Sequence, residues 1–119
     1  MNPVEFNDIE PLQEYYKDCN GHFYCVSRII DAAKDLPEFE IPLCCLDLSI
    51  EIWSGCDMFA LAYHCKKVKE ADLDFPIILD WRGAVADGRH RIMKALVNGE
   101  TTIKAKRLVY RMTPCKEAP

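Results

Sequence analysis

Apolar residues recur at intervals of three and four through the first third of the chain. Leu12, Tyr15, Tyr16 and Cys19 fall on one helical face behind an acidic, proline-bearing start at Asp8-Ile9-Glu10-Pro11-Leu12, and Asn20-Gly21 ends the run. Cys25, Val26, Ile29, Ile30 and Ala33 repeat the spacing and stop before Leu36-Pro37. These two segments predict a helical hairpin over residues 1–37. The apolar run Ile41-Pro42-Leu43-Cys44-Cys45-Leu46 reads next as a short buried strand. Ser54 and Asp57, spaced as in a capping box, precede Met58, Leu61, Ala62, Cys65 and Val68, which share one face of a helix. Lys66, Lys67, Lys69 and Glu70 take its solvent side.

Beyond residue 70 the period shortens to two. Phe75 to Trp81 predicts a strand, Arg82-Gly83 a tight turn, and Ala84-Val85-Ala86 a second short strand. Asp87-Gly88 leads into a helix from Arg89 to Val97, closed by Asn98-Gly99. Thr101 to Val109 alternates, with Ile103 and Ala105 opposite Thr102, Lys104 and Lys106. This order predicts a single α+β domain with a small mixed sheet and packed helices. Its parts are a helical N-terminal extension (1–37), a core (40–109) and a tail (110–119).

Composition narrows the function classes. At 119 residues, 50% hydrophobic and 29% charged, the chain is globular in type, and its net charge of −4 excludes a generally basic nucleic-acid coat. Residues 1–79 carry 6 Lys/Arg and 15 Asp/Glu, whereas residues 80–119 carry 9 and 4. The basic C-terminal third either holds an anion or attracts the acidic half. The first residues lack a secretory signal and no apolar run reaches membrane-spanning length, so a soluble, cytoplasmic protein without membrane contact is expected. Seven cysteines, an odd number without C-x-x-C pairs, predict reduced and mostly buried thiols rather than a disulfide framework. His64-Cys65, and His22 with Cys19 and Cys25, are ligand-like fragments, but their spacing does not match a zinc site and no metal is expected.

The chemistry concentrates in Asp87-Gly88-Arg89-His90-Arg91. A strand passing through glycine into a first helical turn aims backbone N–H groups and the positive helix end outward, which suits an anion. Arg89 and Arg91 oppose the helix dipole there, a conflict that a bound phosphate relieves. The plain alternative is that both arginines pair with carboxylates of the acidic N-terminal half.

The run Phe75-Pro76-Ile77-Ile78-Leu79-Asp80-Trp81-Arg82-Gly83-Ala84-Val85-Ala86-Asp87-Gly88-Arg89-His90-Arg91-Ile92-Met93-Lys94-Ala95-Leu96-Val97-Asn98-Gly99 resembles the ParB/sulfiredoxin superfamily. The shared features are a strand, a hairpin, a Gly-x-(Arg/His)-Arg box at a helix start, and a glycine ending that helix. Ile41 to Leu48 and the helix near residues 57–70 take the places of the family's first strand and following helix, so the resemblance covers about residues 40–109. It implies that Gly88, Arg89, His90 and Arg91 cradle nucleotide phosphates, as the box does for CTP in ParB and for ATP in sulfiredoxin and a related free-serine kinase. Asp87 stands where a glycine or small residue is common, which implies repulsion of a phosphate or a hold on a metal ion. Arg89 takes the place of sulfiredoxin's reactive cysteine, so sulfinic-acid repair is not expected. With 28 residues after Arg91, the helix-turn-helix domain of centromere-binding ParB is not expected either.

The leading expectation is therefore a binder of a nucleoside triphosphate, ATP or CTP, with Mg2+ and with nucleotide-hydrolysing or phosphotransfer activity in view. Lys94 would add charge, and Asp80 and Asp87 are the metal-ligand or charge-partner candidates. No catalytic residue is assigned. The alternative is a non-enzymatic accessory or inhibitor protein of phage or plasmid type, meeting a protein partner through the acidic N-terminal half. Third comes nucleic-acid contact or nuclease action through Lys104, Lys106, Arg107 and Arg111, with overall acidity against tight non-specific binding.

Overall fold

The computed structural model describes residues 3–5, 15–49, 53 and 55–116. In chain order its elements are β1 (Tyr15–Lys17), β2 (Phe23–Cys25), α1 (Val26–Ala33), β3 (Phe39–Pro42), a 3-10 turn (Leu43–Cys45), α2 (Met58–Glu70), β4 (Ile77–Leu79), β5 (Val85–Asp87), α3 (Arg89–Val97) and β6 (Thr102–Arg107). The class is α+β, with a two-stranded sheet β1-β2 and a four-stranded mixed sheet ordered β3-β6-β4-β5. Strand β6 runs parallel to β4 and antiparallel to β3, while β4 and β5 form an antiparallel hairpin.

The predicted helical hairpin is corrected to a β-hairpin followed by one helix; residues Asp8–Leu12 lie outside the described residues. Tyr15, Tyr16 and Cys19 fit helical spacing, but turn chemistry overrides it. The Asp18 carboxylate accepts the backbone N–H groups of Asn20 (2.9 Å) and His22 (3.0 Å), and Gly21 turns at φ +82°. Tyr16 then pairs across the strands with Tyr24, their rings stacked 6.1 Å apart, while Tyr15 and Lys17 face outward. The second predicted helix stands as α1, with Ile29 and Ala33 buried.

Residues Ile41–Leu46 also differ from the single buried strand expected. Strand β3 ends at Pro42, tolerated because β3 is a sheet edge, and the 3-10 turn then buries Leu43 while Leu46 follows into the core. Cys44 and Cys45 are exposed. The expectation of mostly buried thiols fails: Cys25 is half-buried and the other six are exposed.

The main sheet separates two cores. Ile77, Leu79, Val85, Ile103 and Ala105 point to one face, where they pack with Ile92 and Ala95 of α3 and with Leu43 and Leu46. Ile78 and Ala86 point to the other and meet Tyr16, Tyr24, Ile29, Ala33 and Leu108. Alternation along each strand produces this division.

Helix α2 packs on α3 with a different face from the one predicted. Asp57 caps it by accepting the Ala60 N–H at 2.8 Å; Ser54 lies outside the described residues. Met58 and Leu61 are 88% and 53% exposed, and the half-buried positions are Ala60, Tyr63, His64, Lys67 and Val68. The cause lies on α3, which offers polar His90 and Lys94 to α2, so α2 turns His64 and its C-terminal carbonyls inward. Among the described residues no helix is long and apolar enough to cross a membrane.

Candidate functional site

Gly88 starts α3 as its N-cap at φ +107°. A side chain there would be strained, and its Cβ would lie 2.6 Å from Ile77 Cγ2. Glycine thus lets the helix begin directly against β4, and its carbonyl accepts the Ile92 N–H at 3.0 Å. The backbone N–H groups of the first turn face the rim of an open cleft of about 1200 Å³. The cleft lies beside β5, the outer strand of the sheet, with walls from α1, α2 and the start of α3.

Of the expected cradle, Gly88, Arg89, His90 and Arg91 all line this cleft. Their roles differ. Arg91 donates to the Asp87 carboxylate at 2.9 Å and to the Pro76 carbonyl, so it locks the strand-to-helix junction. Its carboxylate partner sits four residues before it, not in the acidic N-terminal half. Arg89 is the first residue of α3 and lines the same cleft.

His90 faces α2. Its Nε2 lies 3.0 Å from His64 Nδ1, and burial, followed by the charges of His64 and Lys67, pulls its pKa down to about 4. Burial lowers His64 as well. Both rings are therefore neutral near pH 7, one nitrogen donating and the other accepting. Trp53 stacks on His64 with ring centroids 3.4 Å apart and planes 11° from parallel. Trp53, His64 and Lys67, all lining the cleft, were not singled out by the box. No spacing in the sequence joins residues 53, 64 and 90; only the α2–α3 packing does.

Two expected site residues belong elsewhere. Asp80 is 2% exposed and accepts from the Tyr16 hydroxyl (2.8 Å) and the backbone N–H groups of Arg82 (2.8 Å) and Ala84 (3.0 Å). It ties the β4–β5 turn to β1 and is not among the residues that line the cleft. Lys94 donates to the Lys69 (3.0 Å) and Ala71 (2.6 Å) carbonyls, closing the C-terminus of α2 rather than charging the cleft. Among the described residues no group of three or more His, Cys, Asp or Glu side chains is arranged to hold a metal. The basic residues of the nucleic-acid reading are largely used within the chain. Lys106 donates to the Ala33 and Lys34 carbonyls at the end of α1, and Arg107 donates to the Trp81 carbonyl.

Comparison with models of protein families, with curated proteins and with solved structures finds no match for this chain.

Proposed function

We propose that the cleft at the start of α3 binds the phosphate groups of a nucleotide such as ATP or CTP. The observation that carries this reading is the meeting of a helix N-terminus, Arg89 and Lys67 with the stacked Trp53 and His64 rings in one open cleft. Arg89 and the N–H groups after Gly88 take the phosphates, Lys67 adds charge, and Trp53 offers a ring to the base. Neutral His90 serves as a hydrogen-bonding group. Arg91 holds Asp87 and thereby the loop geometry. With Asp87 engaged by Arg91, no step is assigned to Mg2+, and hydrolysis or phosphotransfer adds nothing to the binding role. The likeness of residues 75–99 to the ParB/sulfiredoxin box supports the same reading. Isothermal titration with ATP and CTP, with and without magnesium, tests it. Wild type binds at least one, and Arg89→Ala weakens it by about 1.5–3 kcal/mol. Wild type that binds neither nucleotide overturns the proposal.

A second reading is favoured by one observation, the exposure of Met58, Phe59 and Leu61 on α2. A protein partner covering that apolar surface would make the chain a non-enzymatic accessory protein, with the contact on α2 rather than on the acidic N-terminal half. Wild type that binds no nucleotide, together with a cellular partner lost on Leu61→Asp, selects this reading.

A further inference from the structure

The segment following β6 returns to the N-terminal hairpin. Phe23 pairs with Lys116 as an antiparallel bridge, and the Cys115 N–H donates to the Phe23 carbonyl at 2.8 Å. This pairing brings the Cys115 sulfur to 2.7 Å from the Cys25 sulfur, across 90 positions of sequence. Both thiols are free. Cys25 is the N-cap of α1, and its backbone N–H donates to Cys115 Sγ at 3.1 Å. Arg28, in the first turn of the same helix, donates to that sulfur at 3.0 Å.

We infer that Cys25 and Cys115 form a peroxide-sensitive dithiol, which closes into a disulfide and fastens the segment around Cys115 to the start of α1. Three observations on different elements agree: the sulfur separation, the guanidinium on one sulfur, and the backbone bridge that fixes the two segments. Contact with Cys25, opposed by burial and reinforced by the Cys25 N–H and Arg28, holds the Cys115 thiol below its ordinary pKa; contact with Cys115 pushes Cys25 up. Cys115 Sγ already accepts two N–H donors, so it is the better thiolate, with the Cys25 sulfur beside it.

The chemistry follows that polarity. The Cys115 thiolate attacks one oxygen of a hydroperoxide; an S–O bond forms, the O–O bond breaks, and the departing oxygen leaves as hydroxide or alkoxide and takes up a proton. Cys115 is then a sulfenic acid. Cys25, deprotonated, attacks that sulfur; the S–S bond forms, the S–O bond breaks, and hydroxide leaves as water. For hydrogen peroxide, two thiols and one peroxide give one disulfide and two waters, with two electrons passing from sulfur to oxygen. The sulfurs stand 2.7 Å apart, against about 2.05 Å in a disulfide. Cys19, which receives the Arg82 guanidinium, is the internal comparison.

The test begins with fully reduced wild-type protein and one equivalent of hydrogen peroxide near pH 7, followed by digestion without reductant and mass mapping. The Cys25–Cys115 cross-linked peptide is expected as the main product, formed without dimerisation. Oxidation should raise Tm by roughly 10 °C, because the bridge closes a long loop in the unfolded chain. In Cys25→Ser, dimedone should label Cys115 in preference to Cys19. Arg28→Gln should slow alkylation of Cys115 roughly 3- to 10-fold while leaving Cys19 unchanged. Bridges mapping mainly to other cysteines, or equal labelling of Cys19 and Cys115, overturn the inference. The wild-type map decides it even if a variant folds poorly.

Discussion

The two faces of the main sheet are held by different physics. On the α3 face, Ile77, Leu79, Val85, Ile92, Ala95, Ile103 and Ala105 interlock, and among the described residues the buried polar side chains, Asp18 and Asp80, bond to tyrosines of the other layer. On the α1 face an apolar cluster is pinned as well by directional bonds: Tyr16 to Asp80 and Tyr24 to Asp18. Burial raises the pKa of both tyrosines, and their aspartate partners raise them further, so each phenol stays protonated and donates. An apolar layer is specified by volume and tolerates conservative exchange. A layer pinned by buried carboxylates is specified by geometry and fails when one partner goes.

The largest expected effect follows from that contrast. Asp80→Ala leaves the Tyr16 hydroxyl and the N–H groups of Arg82 and Ala84 without their acceptor, at a cost of about 3–5 kcal/mol in urea unfolding at pH 7. Asp80→Asn keeps the oxygen that serves both N–H groups and should cost about half as much. On the apolar face, Ile77→Val should cost only about 1 kcal/mol. If Asp80→Ala is as mild as Ile77→Val, the contrast between the two faces is wrong.

Next is Gly88→Ala, which probes the apolar face where it meets the cleft. The new Cβ must adopt φ near +107° and would sit 2.6 Å from Ile77 Cγ2, so a loss of about 2–4 kcal/mol is expected by the same measurement. An effect below 1 kcal/mol would mean that α3 does not start as tightly on β4 as this contact requires.

The same contrast explains what the sequence made legible. The β4–β5 hairpin, α3 and β6 could be read because their signals are local: alternation, Arg82-Gly83, Asp87-Gly88 and Asn98-Gly99 each specify their own backbone. The β1–β2 hairpin could not, since Tyr15, Tyr16 and Cys19 satisfy a helical period equally well. What decides it is the Asp18 turn and a partner for Tyr16 lying 64 positions away. Within the site, Gly88 to Arg91 were legible as a contiguous box. Asp80 and Lys94 stand away from the cleft, and their partners, Tyr16 and the end of α2, are distant in sequence. Trp53, His64 and Lys67 reach the cleft only through α2 packing.

A smaller effect concerns the lysines that close two helices from opposite faces. Lys106 reaches the carbonyls of Ala33 and Lys34 at the end of α1, and Lys94 reaches those of Lys69 and Ala71 at the end of α2. Lys106→Met and Lys94→Met should each cost about 1–1.5 kcal/mol. Hydrogen exchange should quicken selectively in the last turn of α1 for the first and of α2 for the second. Loss spread evenly over both helices would argue against separate fastening of the two layers.

The smallest effect uses pH to separate the polar fastenings. The ring of His90 is flanked by His64, Lys67 and Arg91, which with burial hold its pKa at about 4 against an ordinary 6.5, while Asp87 pulls the other way. As pH falls, the unfolded chain binds this proton first, so the α2–α3 seam contributes fully above about 6.5 and loses its share between 6.5 and 4. Because the ring is only partly buried, solvent screening reduces the expected loss to about 1 kcal/mol. Asp18 behaves differently. Burial raises its pKa, but hydrogen bonds from the His22 N–H, the Tyr24 hydroxyl and the Asn20 N–H outweigh that and hold it below 3.8. The hairpin therefore keeps its contribution until pH falls through 3.8 and below. Urea midpoints of wild type and His90→Gln, compared from pH 7.5 to 4.5, isolate the histidine from the carboxylates common to both. The wild-type curve should fall faster, and α2 amides should lose exchange protection before those of β1 and β2. Parallel curves would show that the seam does not depend on a neutral His90, leaving the Asp18 bonds as the acid-sensitive fastening of the hairpin.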